Sequence, residues 1–194
     1  FLKSIITNNL SKNLSWNLAG QILAKISLLL FHIYFANLVG TNGYGVFSFV
    51  FVAGIIILQP ILDMGLNQLI TKWVSRGNKE VIRNSFQIKF YVSVFLLPIA
   101  IFLGWWNEIH PILLGTILIY FLINTFQQSL FGILRGLEDL RPESITVALQ
   151  NLLALAVLWI FVNNDIKEAW VGSFVLMLTR GVGTVLVSVI FWKK

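Results

Sequence analysis

The sequence predicts an all-α integral membrane protein of six transmembrane helices with both termini in the cytoplasm, and three observations predict it. The first is composition: 57% of the 194 residues are hydrophobic and mean hydropathy is +0.83, against 14 basic and 8 acidic side chains. Charge therefore reaches only 11%, where a soluble domain carries about 25%. A chain of this size has too little interior to hide so much apolar surface from water. The second observation is that six stretches stay apolar for about 20 residues or more, the length that crosses a bilayer as a helix. They run too long and too continuously for barrel strands, which alternate over about ten residues. The third is the placement of the cations. With the N-terminus inside, the inner segments hold Lys3, Lys12, Lys72, Arg76, Lys79, Arg83, Arg135, Arg141, Lys193 and Lys194, and the outer loops hold only Lys167. Such asymmetry marks cytoplasmic loops.

Taken in order, residues 1–13 form a cytoplasmic or interfacial segment, and residues 14–194 form the membrane lobe. Leu2, Ile5, Ile6 and Leu10, with Lys3 and Lys12, fit a short helix lying on the inner surface. This segment is not a signal peptide, because the apolar stretch behind it is too long, has Lys25 in its middle and offers no small-residue cleavage site. Span one covers 14–38 and ends at Gly40-Thr41-Asn42-Gly43. Span two covers 44–71, and Pro60, one turn before Asp63, is expected to kink it and free backbone carbonyls. Ser75-Arg76-Gly77-Asn78 leads into span three at 85–106, and Trp106 to Pro111 leads into span four at 111–134. Arg135-Gly136 to Pro142 precedes span five at 144–163, and Asn163-Asn164-Asp165 precedes span six at 169–192. Each connection carries residues that end helices, and none is long enough for a soluble domain. Trp16, Trp73, Trp105, Trp106, Trp159, Trp170 and Trp192 all fall near a span end, the headgroup level that indoles prefer.

Function is sought among the polar residues inside the spans. Lys89 lies about one turn from the inner end of span three, so its ammonium is expected to snorkel to the interface. Lys25 and Arg180 lie near the middle of their spans, where a cation costs about 2.5–3.5 kcal/mol on insertion scales. Either each joins a buried ion pair, with Asp63 the available acid, or each faces a water-filled cavity. At 100° per residue, Asn17, Gln21, Lys25 and His32 share about an 80° arc of span one. Gln59, Asp63 and Asn67 recur at four-residue spacing in span two. Asn124, Gln128 and Arg135 share one side of span four with Gln127 nearby, and Ser173, Arg180 and Thr184 align in span six. Interhelical hydrogen bonding is the plain reading of any one amide, but four polar stripes with two mid-span cations favour a shared hydrated centre. Lys25, Arg180, Gln21, His32, Gln59, Asn67, Asn124 and Gln128 are the candidate cavity residues. Asp63 is expected to find a charge partner, with Lys25 at a similar height and Lys89 near, and to act in structure or gating rather than in substrate contact.

Several classes fall away. The chain has no Cys, and His32 and His110 lack carboxylate partners at ligand spacing, so neither a disulfide framework nor a metal site is expected. No nucleophile elbow, phosphate loop or paired-acid arrangement points to an enzyme or to a cofactor. The net charge of +6 is accounted for by the inner loops, not by nucleic acid.

The segments Asn13-Leu-Ser-Trp-Asn-Leu-Ala-Gly-Gln21, Leu38-Val-Gly-Thr-Asn-Gly-Tyr-Gly45, Asp63-Met-Gly-Leu-Asn67 and Gly132-Ile-Leu-Arg-Gly136 stand in an order and spacing that carry a likeness. Together they resemble the polysaccharide biosynthesis family, the oligosaccharide flippases of the multidrug, oligosaccharidyl-lipid and polysaccharide exporter superfamily, over essentially the whole chain. The resemblance implies the N-terminal six-helix lobe of a two-lobe alternating-access exporter in a bacterial or archaeal plasma membrane. Its substrate would be a polyprenyl-pyrophosphate-linked oligosaccharide, with Lys25 and Arg180 meeting the pyrophosphate and the lipid tail left in the bilayer. A chain that opens on Phe fits a fragment whose C-terminal lobe follows in the parent gene; the alternative is a second copy that supplies the other wall. A cation-coupled multidrug exporter lobe is the neighbouring possibility, although that branch places a carboxylate in the first helix, where this chain has Lys25. A non-transporting membrane scaffold subunit is the third.

Overall fold

The computed structural model describes residues 2–78, 80–164 and 166–192, with the side chains of 2–14, 16 and 191 outside the description. Among the described residues there is no strand. The chain runs as α1 (Leu2–Ala53), a π-helical turn (Gly54–Leu58), α2 (Gln59–Asp63), α3 (Leu66–Val74), α4 (Glu80–Trp106), α5 (Pro111–Gly136), α6 (Arg141–Asn163) and α7 (Trp170–Trp192). Five helical stretches among the described residues are long and apolar enough to cross a membrane: Asn17–Asp63, Glu80–Trp106, Pro111–Gly136, Arg141–Asn163 and Trp170–Ile190. The surface side-chain pattern expected of residues 1–13 lies outside the described side chains; the backbone of 2–13 continues α1.

The first of these stretches has 47 residues. A straight helix of that length would span about 70 Å, more than twice the hydrocarbon core. It is not straight. Gly40 has φ 73° and ψ 177°, a conformation that a Cβ would oppose, and the helix breaks there. Beyond the break the chain folds back on itself. The Phe35 and Phe47 rings meet at 4.9 Å, Phe35 and Tyr44 at 6.2 Å, and His32 and Phe51 at 6.4 Å. Residues 32 and 51 would stand about 28 Å apart along an unbroken helix. Residues 2–39 and 41–53 are therefore the two arms of a hairpin, clasped by aromatic rings.

The continuous span expected over 44–71 is corrected by a second break. Pro60 has no N–H to donate, and the turn before it widens to π form, with Gln59 N–H reaching back five residues to the Gly54 carbonyl. Four residues after Pro60, Met64 at φ 45° and Gly65 at φ 73° take left-handed conformations that end α2 and redirect the chain into α3. Asp63, Gly65, Asn67 and Gln68 interrupt the apolar run here, and the kink expected at Pro60 extends into a full break.

The packing of α4 is inverted relative to a helix of a soluble bundle. In α4 the buried residues are Ser85, Lys89, Ser93 and Gly104, whereas Phe90, Tyr91, Phe95, Phe102, Trp105 and Trp106 are exposed. Ser85, Lys89 and Ser93 recur every four residues and so share one face. α5 is the central element, packing on α3, α4 and α7, while α6 packs on the first arm of α1 and on α7. The approach of α3 to α5 depends on Gly132 and Gly136, four residues apart. Thr71 Oγ1 donates to the Gly132 carbonyl at 3.0 Å, and a Cβ at Gly136 would lie 2.8 Å from the Thr71 carbonyl oxygen. This is the close crossing that small residues permit between membrane helices. The turn from α5 to α6 is closed by a two-pronged ion pair of Arg135 with Glu143, one prong running from Nε to Oε2 at 2.8 Å.

Candidate functional site

Lys89 does not snorkel. Its side chain is fully buried, and its Nζ faces Asn67 Oδ1 at 2.7 Å, Ser129 Oγ at 2.7 Å, Asp63 Oδ1 at 3.1 Å and the Thr125 carbonyl at 3.4 Å. The correction has a physical cause. The break between α2 and α3 sets a carboxylate and an amide oxygen opposite the buried face of α4, so the ammonium finds its acceptors within the bundle. Asp63, 30% exposed, gives Oδ1 to this ion pair. It also lines a cavity of about 260 Å3 with Ile55, Gln59, Pro60, Asn67, Asn124 and Thr125. Asp63, Asn67 and Lys89 thus form one connected group, with Gln59 and Asn124 beside it. Asn124 is buried, and its Oδ1 has no protein hydrogen-bond partner.

Arg180 belongs to a different group. Its Nη1 donates to Gln127 Oε1 at 3.2 Å and to Gln150 Oε1 at 3.1 Å, its Nη2 donates to the Tyr120 hydroxyl at 3.4 Å, and its guanidinium carbon lies 5.6 Å from the centre of the Tyr120 ring. No carboxylate faces it among the described residues. Gln150 reaches it across α7 because Gly183 has no Cβ; one built there would overlap the Gln150 amide. With their oxygens turned to the cation, Gln127 and Gln150 leave buried Nε2 groups that have no protein partner.

Lys25 is exposed and has no ion-pair or hydrogen-bond partner among the described residues. Its height in the bundle follows from its neighbour. Asn151 Nδ2 donates to the Ala24 carbonyl at 2.8 Å, and the adjacent Gln150 accepts from Arg180. Lys25 and Arg180 therefore stand at one level, midway along α6. Asn17 leaves the expected stripe: its Oδ1 accepts from Ser144 Oγ at 2.9 Å where α1 crosses α6. His32 leaves it as well. Packed among Phe31, Tyr44, Phe47 and Phe51, with Nδ1 3.2 Å from the Tyr44 hydroxyl, it belongs to the hairpin clasp and not to a polar cavity. Gln21 and Gln128 are half-buried, and Gln128 stands one turn along α5 from Asn124.

A family model described as "Polysaccharide biosynthesis protein" matches residues 10–194. The chain belongs to this family. No curated protein and no solved structure matches it. With several helices long and apolar enough to cross a bilayer, this polysaccharide biosynthesis protein is a multi-pass membrane protein.

Sequence reasoning underweighted four residues of this family member. Gln150 and Asn151 are an adjacent pair of amides in span five outside every stripe, and Tyr120 reads as one more aromatic among many. Gln127 sits beside the expected stripe, and Ser129 is an ordinary small residue of a membrane helix. A Gln at the middle of an apolar span was the one available signal, because an amide there needs a partner.

Proposed function

We propose that this chain is the N-terminal lobe of a flippase that carries polyprenyl-pyrophosphate-linked oligosaccharide across the cell membrane of a bacterium or archaeon. Its six crossings are counted by splitting the first long helix at Gly40. The observation that carries the reading is Lys25, an exposed ammonium without a partner among the described residues, at the level of Arg180 midway along α6. Hydrocarbon would penalise that charge by several kcal/mol, so the face that bears it needs a wet partner. A second lobe supplies such a partner, and so does a second copy of the chain. Two walls that rock about a mid-membrane site are the general design of such transporters. A phosphate-bearing substrate entering low dielectric needs cationic partners, and Lys25 and Arg180 provide two, neither paired with a carboxylate among the described residues. A scaffold role leaves the exposed Lys25 without purpose, and the lack of an acid in the first helix weighs against a cation-coupled drug exporter.

The test is complementation. In a strain lacking its own saccharide flippase, the parent protein is expected to restore surface glycan, whereas residues 1–194 alone are not. Restoration by the isolated lobe favours the homodimer, and failure of the parent protein removes the proposal. Reporter fusions check the six crossings: those after Asn42, Glu108 and Asn164 are expected outside, and those after Gly77, Glu138 and Lys194 inside. An external signal at Gly77 overturns the layout.

A further inference from the structure

The turn between α3 and α4 is held by its own backbone. α3 closes in a tight cap: Gly77, at φ 79°, donates its N–H to the Val74 carbonyl at 2.9 Å, and Asn78 donates to the Trp73 carbonyl at 3.0 Å. Asn78 Oδ1 then accepts the Glu80 N–H at 3.0 Å, where α4 begins. Beneath the turn, Ile70 and Val74 of α3 and Ile133 of α5 form a buried apolar cluster, with Ile82 and Phe86 of α4 packed against it. The side chains above stand on a fixed base. Three of them are Lys72, Arg76 and Arg83, all exposed, and none pairs with a carboxylate among the described residues. The Arg76 guanidinium carbon lies 5.5 Å from the centre of the Trp73 ring, a cation–π contact that orients the planar group. The sequence adds Lys79 to this stretch, in which Glu80 is the single acid.

The helix dipole accounts for part of this charge. Lys72 and Arg76 lie at the negative end of α3, which attracts cations. Arg83 is the fourth residue of α4, close to the positive end of that helix, where a cation is disfavoured. Cations gathered there call for an anion. The residues that follow Arg83 give its kind. Arg83, Gln87, Phe90 and Val94 recur at helical spacing and so share one face of α4. All four are exposed, Phe90 at 57% and Val94 at 53%. This face passes from charge through amide to hydrocarbon as it enters the membrane-spanning helix. A soluble phosphate or a nucleic acid matches the cations but not the apolar continuation. A phospholipid with an anionic headgroup matches both, with its headgroup at the turn and an acyl chain along α4. Trp73 fits the same level, because indoles prefer the headgroup region.

We infer that Lys72, Arg76 and Arg83 form a binding site for the headgroup of an anionic membrane phospholipid such as phosphatidylglycerol. The site lies at the membrane surface, apart from the mid-membrane cations Lys25 and Arg180, and it does not depend on what the protein transports. Its position has a structural consequence. α3 follows the left-handed pair Met64-Gly65, so a lipid held at the other end of α3 ties the segment beyond that break to the bilayer surface. The lipid acts there as an anchor for the broken helix.

The experiment uses the full-length parent protein in a neutral detergent, with bound lipid counted by native mass spectrometry. The ligands added are phosphatidylglycerol, phosphatidylcholine with the same acyl chains, and glycerol phosphate, which has the headgroup charge and no chains. Wild type is expected to hold phosphatidylglycerol more tightly than phosphatidylcholine. Arg76→Gln and Arg83→Gln are each expected to cut that preference by about fivefold, the worth of one cation near an anionic surface. Lys167→Gln, in the loop before α7, is expected to leave it unchanged. Thermal unfolding without added lipid is expected to be alike in all four proteins, since the exchanged side chains lie on the surface. Equal binding of the two lipids by wild type overturns the site, and so does a wild-type preference kept by both arginine variants. Displacement of phosphatidylglycerol by an equal concentration of glycerol phosphate would show a site for soluble anions instead. Earlier unfolding of both arginine variants without lipid would give these cations a structural role and overturn it too.

Discussion

Lys25→Ala is expected to lower glycan export by about 10- to 150-fold, the equivalent of the 1.5–3 kcal/mol that a hydrogen bond to a charged group contributes, with membrane abundance near normal. The side chain is exposed and touches no partner among the described residues, so its removal opens no core and breaks no bond within the lobe. What is lost is a charge directed at something outside the lobe. Lys25→Arg is expected to keep part of the activity, because the charge survives while the compact ammonium does not. The chain has no Cys, so Lys25→Cys can be probed with a membrane-impermeant thiol reagent against a clean background. Labelling is expected if this face is wet, and protection would support packing against a scaffold partner. Normal export by the Ala variant would remove Lys25 from the site.

The second large effect concerns stability. Lys89→Met leaves the Asp63 carboxylate without its counter-charge and is expected to destabilise the lobe by about 3–5 kcal/mol, the cost of breaking a buried ion pair from one side. Asp63→Asn strands the fully buried ammonium and is expected to cost a similar amount. The uncharged pair Lys89→Met with Asp63→Leu should recover most of the loss, since no charge then remains to be desolvated. Thermal unfolding of the four proteins in one detergent measures this. A neutral interhelical hydrogen bond averages only about 0.6 kcal/mol, so the size of the single-variant loss separates a charge pair from ordinary packing contacts. A double variant less stable than either single one would show that shape, not charge, joins α4 to the break between α2 and α3.

The legibility of this protein divides along a clear line. Membrane class, helical content and the positions of the chain reversals follow from composition, apolar length and punctuation, each read along one dimension. The reversal at Gly40 is an example: the Gly-Thr-Asn-Gly turn stands between two apolar runs, and the structure folds the arms back at its first residue. A kink at Pro60 is legible from its missing N–H, and Asp63-Met-Gly-Leu-Asn67 interrupts the apolar run, but neither gives the direction in which the left-handed pair Met64-Gly65 sends α3. Cost predicts a charge partner for Asp63, with Lys25 and Lys89 both in reach, while position along its own helix predicts only that Lys89 snorkels. Snorkelling is a property of one helix, whereas burial depends on what the next helix presents.

By itself, then, the sequence determined that this is a bundle of apolar helices with polar residues at mid-depth, and which of those residues share a face of their own helix. Only the tertiary structure decided which helix each face meets. It assigned Lys89 to Asp63 and Asn67, gave Arg180 to Gln127 and Gln150, and turned His32 away into an aromatic clasp. The physical reason is that a 100° periodicity sets angles about one axis but not the rotation of that axis against its neighbours. That rotation is set where backbones touch: at Gly136, where a Cβ would press on Thr71, and at Gly20, where one would press on Ser144. Such contacts are properties of pairs of helices, and no single stretch of sequence contains them.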